Sequence, residues 1–262
     1  MIGRKQIKGF LSDRLNADLR SILVRDPLLL FNNSVIDFKL EKRGRVSLVE
    51  LQGHQYIVKH YYVKSWLFWF RRAFLSSLAL KVQSQVAILQ QNDFSTPLLL
   101  AAVDNGRGLD YQGTTCVYEY VKPDKDLGQL QDDFADFTKR AIILNSIIPL
   151  LARMHKSGIY HGDAKISNFL WVEHSSKVDI SIIDLNDCRL MAKISNKQRI
   201  YDLTTLIFSL AWWRNDSNFV FECLNIYLQL DSSWCHDKEA VLDDITERVV
   251  KKLAHRRNRQ ER

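Results

Sequence analysis

The stretch from Ile159 to Trp171, IYHGDAKISNFLW, restricts this chain more than any other. It sets a histidine, an aspartate, a lysine and an asparagine at fixed spacing, His161-x-Asp163-x-Lys165-x-x-Asn168, and then returns at once to apolar residues. Unpaired charges at that density do not belong in a core, and the apolar residues on either side do not belong in solvent. The segment therefore reads as a loop held between buried elements, the usual place for reactive side chains. An aspartate can accept a proton from a hydroxyl, an ammonium can neutralise a moving anion, and an asparagine offers a hard oxygen to a divalent cation.

That spacing is the one kinase catalytic loops use, H-x-D-x-K-x-x-N, and it points to phosphoryl transfer from ATP. Asp163 is the candidate base that orients the acceptor hydroxyl and takes its proton late in transfer. Lys165 neutralises the moving phosphoryl group, and Asn168 is a candidate Mg²⁺ ligand. His161 is assigned to the scaffold. A second metal ligand is expected at the end of a nearby strand, and Asp184 closes the apolar run VDISII 16 positions after Asn168. The segment there reads Asp184-Leu185-Asn186 where a protein kinase has D-F-G, so the carboxylate remains while the aromatic and the glycine do not.

Upstream, strand-like runs FKLEK, RVSLVEL and HQYIVKHY are divided by turn signals at Arg43-Gly44 and Gln52-Gly53. Lys59 in the third run is the candidate lysine for the nucleotide phosphates. By itself it is an ordinary strand lysine, and only the downstream loop gives it weight. The phosphate-covering turn is reduced to Gly44, with Arg43 and Arg45 beside it, where a full loop reads G-x-G-x-x-G. Residues 61 to 75 hold seven aromatics with Lys64, Arg71 and Arg72, which suits either a buried helix or a segment on an anionic lipid surface. A helix over about Ser76 to Gln91 follows, and it lacks the glutamate that pairs with the strand lysine in kinases. Gln83, Gln85 or another carboxylate would have to replace it.

After F-S-T-P (residues 94–97), two more runs complete an antiparallel sheet of about five strands. Glu119 and Val121 then fall where a hinge reads an adenine edge. Residues 132 to 157 have helical periodicity, with a kink expected at Pro149 and a stop at Gly158. The segment 203 to 230 reads as core helices, and the cationic tail from Arg248 as a solvated helix end in preference to a phospholipid contact or a nucleic-acid arm.

Composition narrows the partners. Lys plus Arg number 37 against 30 Asp plus Glu, a net charge of +7, which favours an anionic partner. The four cysteines form no C-x-x-C pair, so no zinc knuckle or disulfide framework is indicated. No secretory signal is read at the N-terminus, and no apolar run approaches the roughly 18 residues that cross a bilayer. Nothing resembles a zinc finger or helix-turn-helix, so no nucleic acid is expected as a partner.

Taken together, Lys59, F-S-T-P, H-G-D-A-K-I-S-N-F-L, I-I-D-L-N-D and R-I-Y-D-L resemble, over about residues 35 to 215, the bacterial lipopolysaccharide core kinases. The resemblance implies a kinase-like two-lobed α+β fold, with a small antiparallel-sheet lobe over 1–121 and a larger, mainly helical lobe over 122–262. It implies ATP, Mg²⁺ and a lipid-linked heptose or Kdo acceptor at the cytoplasmic face of the inner membrane. By the same resemblance Asp202 braces the catalytic loop, although an acidic residue near a helix N-terminus explains it equally well. The competing readings are a kinase-like protein without catalysis that binds nucleotide or a membrane partner, and a kinase for another small-molecule or protein acceptor.

Overall fold

The computed structural model describes residues 8–41, 44–63, 77–106, 111–174, 177–214, 219–235 and 237–260. The chain divides into two units, residues 1–91 with 96–122 and residues 92–95 with 123–262.

The first unit is built on an antiparallel sheet of six strands in the order β1-β5-β6-β4-β3-β2. The strands are β1 (Lys8–Leu11), β2 (Ser34–Glu41), β3 (Gly44–Leu51), β4 (His54–Tyr62), β5 (Leu99–Asn105) and β6 (Gly113–Glu119). Alternation decides which side chains go inward. Val49, Val58, Ala101, Val103 and Val117 pack with Leu19 and Leu23 of helix α1 (Ala17–Arg25) and with Leu30 and Phe31 of a 3-10 turn. Helix α2 (Leu78–Gln91) also packs on the sheet and buries Ala79, Val82, Val86 and Leu89. The β3–β4 turn is the one read from the sequence: Gln52 and Gly53 both have positive φ, 53° and 74°, the two-residue geometry that matches strand twist. The sheet has one strand more than expected. Four residues, KGFL, are too short to show alternation, and β1 exists because it pairs along β5.

The second unit is mainly helical, with α3 (Leu127–Ala135), α4 (Phe137–Lys156), α5 (Asn196–Arg214), α6 (Phe219–Leu230) and α7 (Lys238–Gln260). The single helix expected over 132–157 is two. Asp136 ends α3 by giving its N–H to the Asp133 carbonyl, and its side chain then accepts from Lys139 N–H to start α4. Pro149 lies inside α4. Helix α5 is apolar on most sides, as suits an element packed against both α6 and α7. The tail is the outer face of a docked helix: Ile245, Val249 and Leu253, four apart, are buried and seat α7, while Arg248, Lys251, His255, Arg256 and Arg257 stay exposed. No helix among the described residues is long and apolar enough to cross a membrane.

Candidate active site

Helix α4 ends at Gly158, whose φ of +73° favours glycine, and the chain enters the short strand β7 (Ile159–Tyr160) and then the loop. Three backbone amides of that loop are held by α5. Asp202, fully buried, accepts from His161 N–H through Oδ2 and from Gly162 N–H through Oδ1, each at 2.9 Å. Ser209 Oγ accepts from Ile166 N–H at 2.9 Å. The helix-terminus explanation of Asp202 fails, because α5 begins at Asn196 and has no acidic residue in its first turn.

The loop brings three of the expected residues together. Asp163 Oδ2 lies 2.8 Å from Lys165 Nζ. Asn168 Nδ2 donates to the Asp163 carbonyl at 2.8 Å and to Asp163 Oδ2 at 3.1 Å. Asn168 is buried, while the Asp163 and Lys165 side chains remain 36% and 44% exposed, open to a substrate. His161 sits beneath them. Its Nδ1 accepts from Asp163 N–H at 3.3 Å, its ring packs near Phe169, and burial holds its pKa below the ordinary histidine value. The buried imidazole accepts from one backbone amide, a contact suited to holding the loop.

Asp184 is delivered by a hairpin. Strands β8 (Phe169–His174) and β9 (Lys177–Ile182) pair with Phe169 opposite Ile182, and Ile183 N–H donates to the Asn168 carbonyl at 2.9 Å. Asn168 and Asp184 thus leave the same end of the hairpin. Asp184 has φ 56° and ψ 58°, a left-handed conformation uncommon for a non-glycine residue and characteristic of functional turns. Its Oδ1 accepts from Asn186 Nδ2 at 2.6 Å. The described residues hold no cluster of three or more His, Cys, Asp or Glu. Magnesium needs none, since it is held by one or two protein oxygens together with phosphate oxygens and water.

In the first unit, Lys59 stands on β4 opposite Val46 on one side and Cys116 on the other, with Nζ 5.1 Å from the Tyr61 ring centroid. Cys116 in turn faces Ala102, and Asp104 follows two residues later on the same sheet face. The helix carries no glutamate, and strand register instead puts an aspartate on the lysine's face, a carboxylate of the kind left open as its replacement. Asp104 Oδ1 accepts from Thr114 Oγ1 at 2.6 Å and from the Ala79 N–H of α2 at 3.3 Å. Of the two glutamines considered, Gln85 is buried and Gln83 half-buried on α2.

Gly44 opens β3 opposite Glu41, and a Cβ there would lie 2.7 Å from the His60 carbonyl oxygen. Arg45 is not poised for phosphate. It is paired bidentately with Asp37 at 3.1 Å and its guanidinium lies over Phe31. Glu119 is exposed at the end of β6, its N–H donating to the Leu98 carbonyl at 3.0 Å, and Val121 is half-buried two residues on. Arg43 and residues 64–76, which include most of the aromatic and basic segment, lie outside the described residues.

A model of the Lipopolysaccharide kinase (Kdo/WaaP) family matches residues 32–227. This chain belongs to that family. As a Kdo/WaaP-family member it is a kinase, and ATP is the donor that a kinase implies. Among solved structures, that of WaaP in complex with acyl carrier protein is similar, with a TM-score of 0.66 and 21% identity over 93% of this chain and 98% of that one. At that identity the likeness establishes the fold, an α+β kinase-like architecture. No curated protein sequence matches.

Behind the loop that carries Asp163 and Asn168 lies a buried polar chain of Asp202, His155, Tyr227, Arg199 and Asp231. His155 Nε2 lies 3.2 Å from Asp202 Oδ2, and His155 Nδ1 lies 2.7 Å from the Tyr227 hydroxyl. That hydroxyl also accepts from Arg199 Nη1 at 2.9 Å, and Arg199 pairs with Asp231 at 2.6 Å. Arg199 can only donate, so the Tyr227 oxygen accepts there, and His155 bridges Tyr227 and Asp202 through its two ring nitrogens. Burial pushes the Tyr227 phenol well above its ordinary pKa, which keeps its proton in place.

Gly162 ties the loop to the turn after Asp184. Its φ is +81°, and a Cβ would meet Asp187 Cβ at 2.7 Å and the Asp187 carbonyl oxygen at 3.0 Å. Gly162→Ala is expected to cost about 1–3 kcal/mol from backbone strain, before the clash is counted. Urea unfolding should show a lower midpoint, and activity should fall even where the variant is folded. An unchanged midpoint would mean that the close approach does not exist.

Proposed function

We propose that this kinase transfers the γ-phosphoryl group of ATP to a sugar hydroxyl, of heptose or Kdo, in the inner core of lipopolysaccharide. The observation that carries the reading is the engagement of Asn168 Nδ2 by Asp163. With its nitrogen held by the aspartate, Asn168 keeps its amide oxygen as its remaining hard donor, and Asp184 emerges from the same end of the hairpin. Two hard oxygen donors fit Mg²⁺, and the bound ion would neutralise phosphate charge. Asp163 orients the acceptor hydroxyl and accepts its proton, while Lys165 beside it offsets charge on the transferred group. Lys59 is assigned to the nucleotide phosphates, with Asp104 as the carboxylate nearest in register, and Gly44 to the turn over them. The Glu119 carbonyl and Val121 amide are assigned to the adenine edge, because the Glu119 N–H is already given to Leu98.

A lipid-linked acceptor places the reaction at the cytoplasmic face of the inner membrane, and the net charge of +7 is suited to an anionic surface there. The test is incorporation of labelled phosphate from ATP into purified core acceptors, with the modified sugar located by mass spectrometry. Transfer to a heptose or Kdo hydroxyl is expected, and transfer to neither overturns the reading. In the same assay Asp184→Asn should raise the Mg²⁺ concentration needed for half-maximal rate by about tenfold or more, because a charged ligand is lost. An unchanged metal requirement would remove Asp184 from the metal site.

A further inference from the structure

Helix α5 has two adjoining faces, about 100° apart. From one, Asp202 and Ser209 hold the catalytic loop. From the other, Tyr201, Phe208 and Trp212 carry cations of α7. Lys252 Nζ lies 5.8 Å from the Tyr201 ring centroid and 5.6 Å from that of Phe208. The Arg256 guanidinium lies 4.3 Å from the Trp212 centroid and 6.0 Å from that of Phe208. Tyr201 also packs near Tyr160, with ring centroids 6.3 Å apart, just ahead of the loop.

Arg248, Lys252 and Arg256 follow one another at four-residue spacing, so they form a single stripe along α7. Like charges at this spacing repel, which costs stability unless something anionic offsets it. Arg248 is paired with Asp244 at 2.7 Å, whereas Lys252 and Arg256 rest on aromatic faces. Burial and the neighbouring Arg248 hold the Lys252 ammonium below the ordinary lysine range, and the Asp163 carboxylate acts on it in the opposite sense. The middle of the stripe also rests on Tyr201, whose ring packs near Tyr160 just ahead of the loop.

Building on the function proposed above, we propose that the α7 stripe of Arg248, Lys252 and Arg256 is the anion-recognition surface for the acceptor. It takes a phosphate or carboxylate group carried by the acceptor glycolipid and so presents the neighbouring hydroxyl to Asp163. The occupant is the acceptor's own anion, not the headgroups of the surrounding bilayer. A half-buried lysine stacked on two rings is a fixed point suited to one group, whereas binding to a lipid surface uses mobile, fully solvated cations. Arg248 and Arg256 supply planar donor forks for such oxyanions, and Lys252 supplies a point charge.

The full-length protein with Lys252→Gln and Arg256→Gln together tests this. The acceptor KM should rise about tenfold or more, the effect of losing one well-placed charge contact. The kcat at saturating acceptor and the KM for ATP should stay within about twofold of wild type. Added KCl should raise the wild-type acceptor KM and leave that of the variant nearly flat. Lys252→Arg should keep the wild-type KM, and the unfolding midpoint of each variant checks that the fold is intact.

An unchanged acceptor KM in the folded double variant overturns the proposal. So does a variant that loses binding to phosphatidylglycerol vesicles while its acceptor KM is unaffected, because the stripe would then serve the bilayer. Calorimetric titration with purified core oligosaccharide, without ATP, separates this result from the fate of the catalytic reading. If wild type binds the oligosaccharide and the double variant does not, the stripe is assigned even where no sugar is phosphorylated.

Discussion

Asp163→Ala is expected to remove phosphoryl transfer while leaving the protein folded. Positioned general bases contribute about 10²–10⁴-fold to rate, so kcat should fall by that factor with little change in the KM for ATP. The structure explains why stability should be nearly untouched. The Asp163 side chain is about a third exposed, and its pairing with the partly exposed Lys165 belongs to a class of contacts that contributes only about 0–1 kcal/mol. Asn168 loses one of two bonds and keeps the one to the Asp163 carbonyl, which the substitution does not remove. Asp163→Asn is the sharper variant, since it preserves shape and removes only the charge. Retention of more than about a tenth of wild-type kcat by the asparagine variant would show that Asp163 is not the base.

Asp202→Ala should behave in the opposite way, losing stability first. The carboxylate is fully buried and accepts from His161 N–H, Gly162 N–H and His155 Nε2. Its removal leaves three buried donors without an acceptor, each costing about 1–3 kcal/mol when unsatisfied. The losses do not add fully because water can enter the space, so a total of about 3–5 kcal/mol is expected, in line with breaking a buried charged contact. The urea midpoint should drop sharply, and kcat should fall in conditions where the variant is still folded. Asp202→Asn should recover part of the stability, since one oxygen remains to accept while the new amide nitrogen faces a donor. If Asp202→Ala unfolds like wild type, the loop is held by something other than Asp202.

These two residues differ in how readily a sequence shows them. Asp163, Lys165 and Asn168 lie within six positions of one another, and their contacts are made inside the loop itself, so spacing alone carries the geometry. Asp184 is legible for a similar reason. Its strand pairs with the one that follows Asn168, and a two-strand hairpin allows only one outcome for the residue that ends it. Asp202 could be named only through resemblance, because its partners are 40 and 41 positions away. Arg199 stands in the R-I-Y-D-L stretch without any partner being legible, and Tyr227 carried no signal, for their bonds depend on where α6 packs.

The same contrast runs through the fold. Alternation along β3, β4, β5 and β6 is visible in the sequence because each strand turns one face to a core. The short β1 and the break at Asp136 are not, since one depends on a partner strand and the other on a cap that competes with continued helix. A run of cations reads the same whether it faces water or lies across aromatic rings, so the tail from Arg248 is read from sequence as solvated. Only packing put Lys252 and Arg256 over the rings of α5.

By itself the sequence determined the candidate site: the residue types and their spacing in His161-x-Asp163-x-Lys165-x-x-Asn168, the carboxylate at Asp184 and the lysine at Lys59. Those depend on local backbone periods of a strand, a helix or a tight loop, which neighbouring residues dictate. The tertiary structure alone decided what holds that chemistry in place, from Asp202 with His155, Tyr227 and Arg199 to the cationic stripe on α7. Hydrogen bonds and ring contacts act over a few ångströms, and which distant residues come that close is settled by the packing of whole elements rather than by their order along the chain.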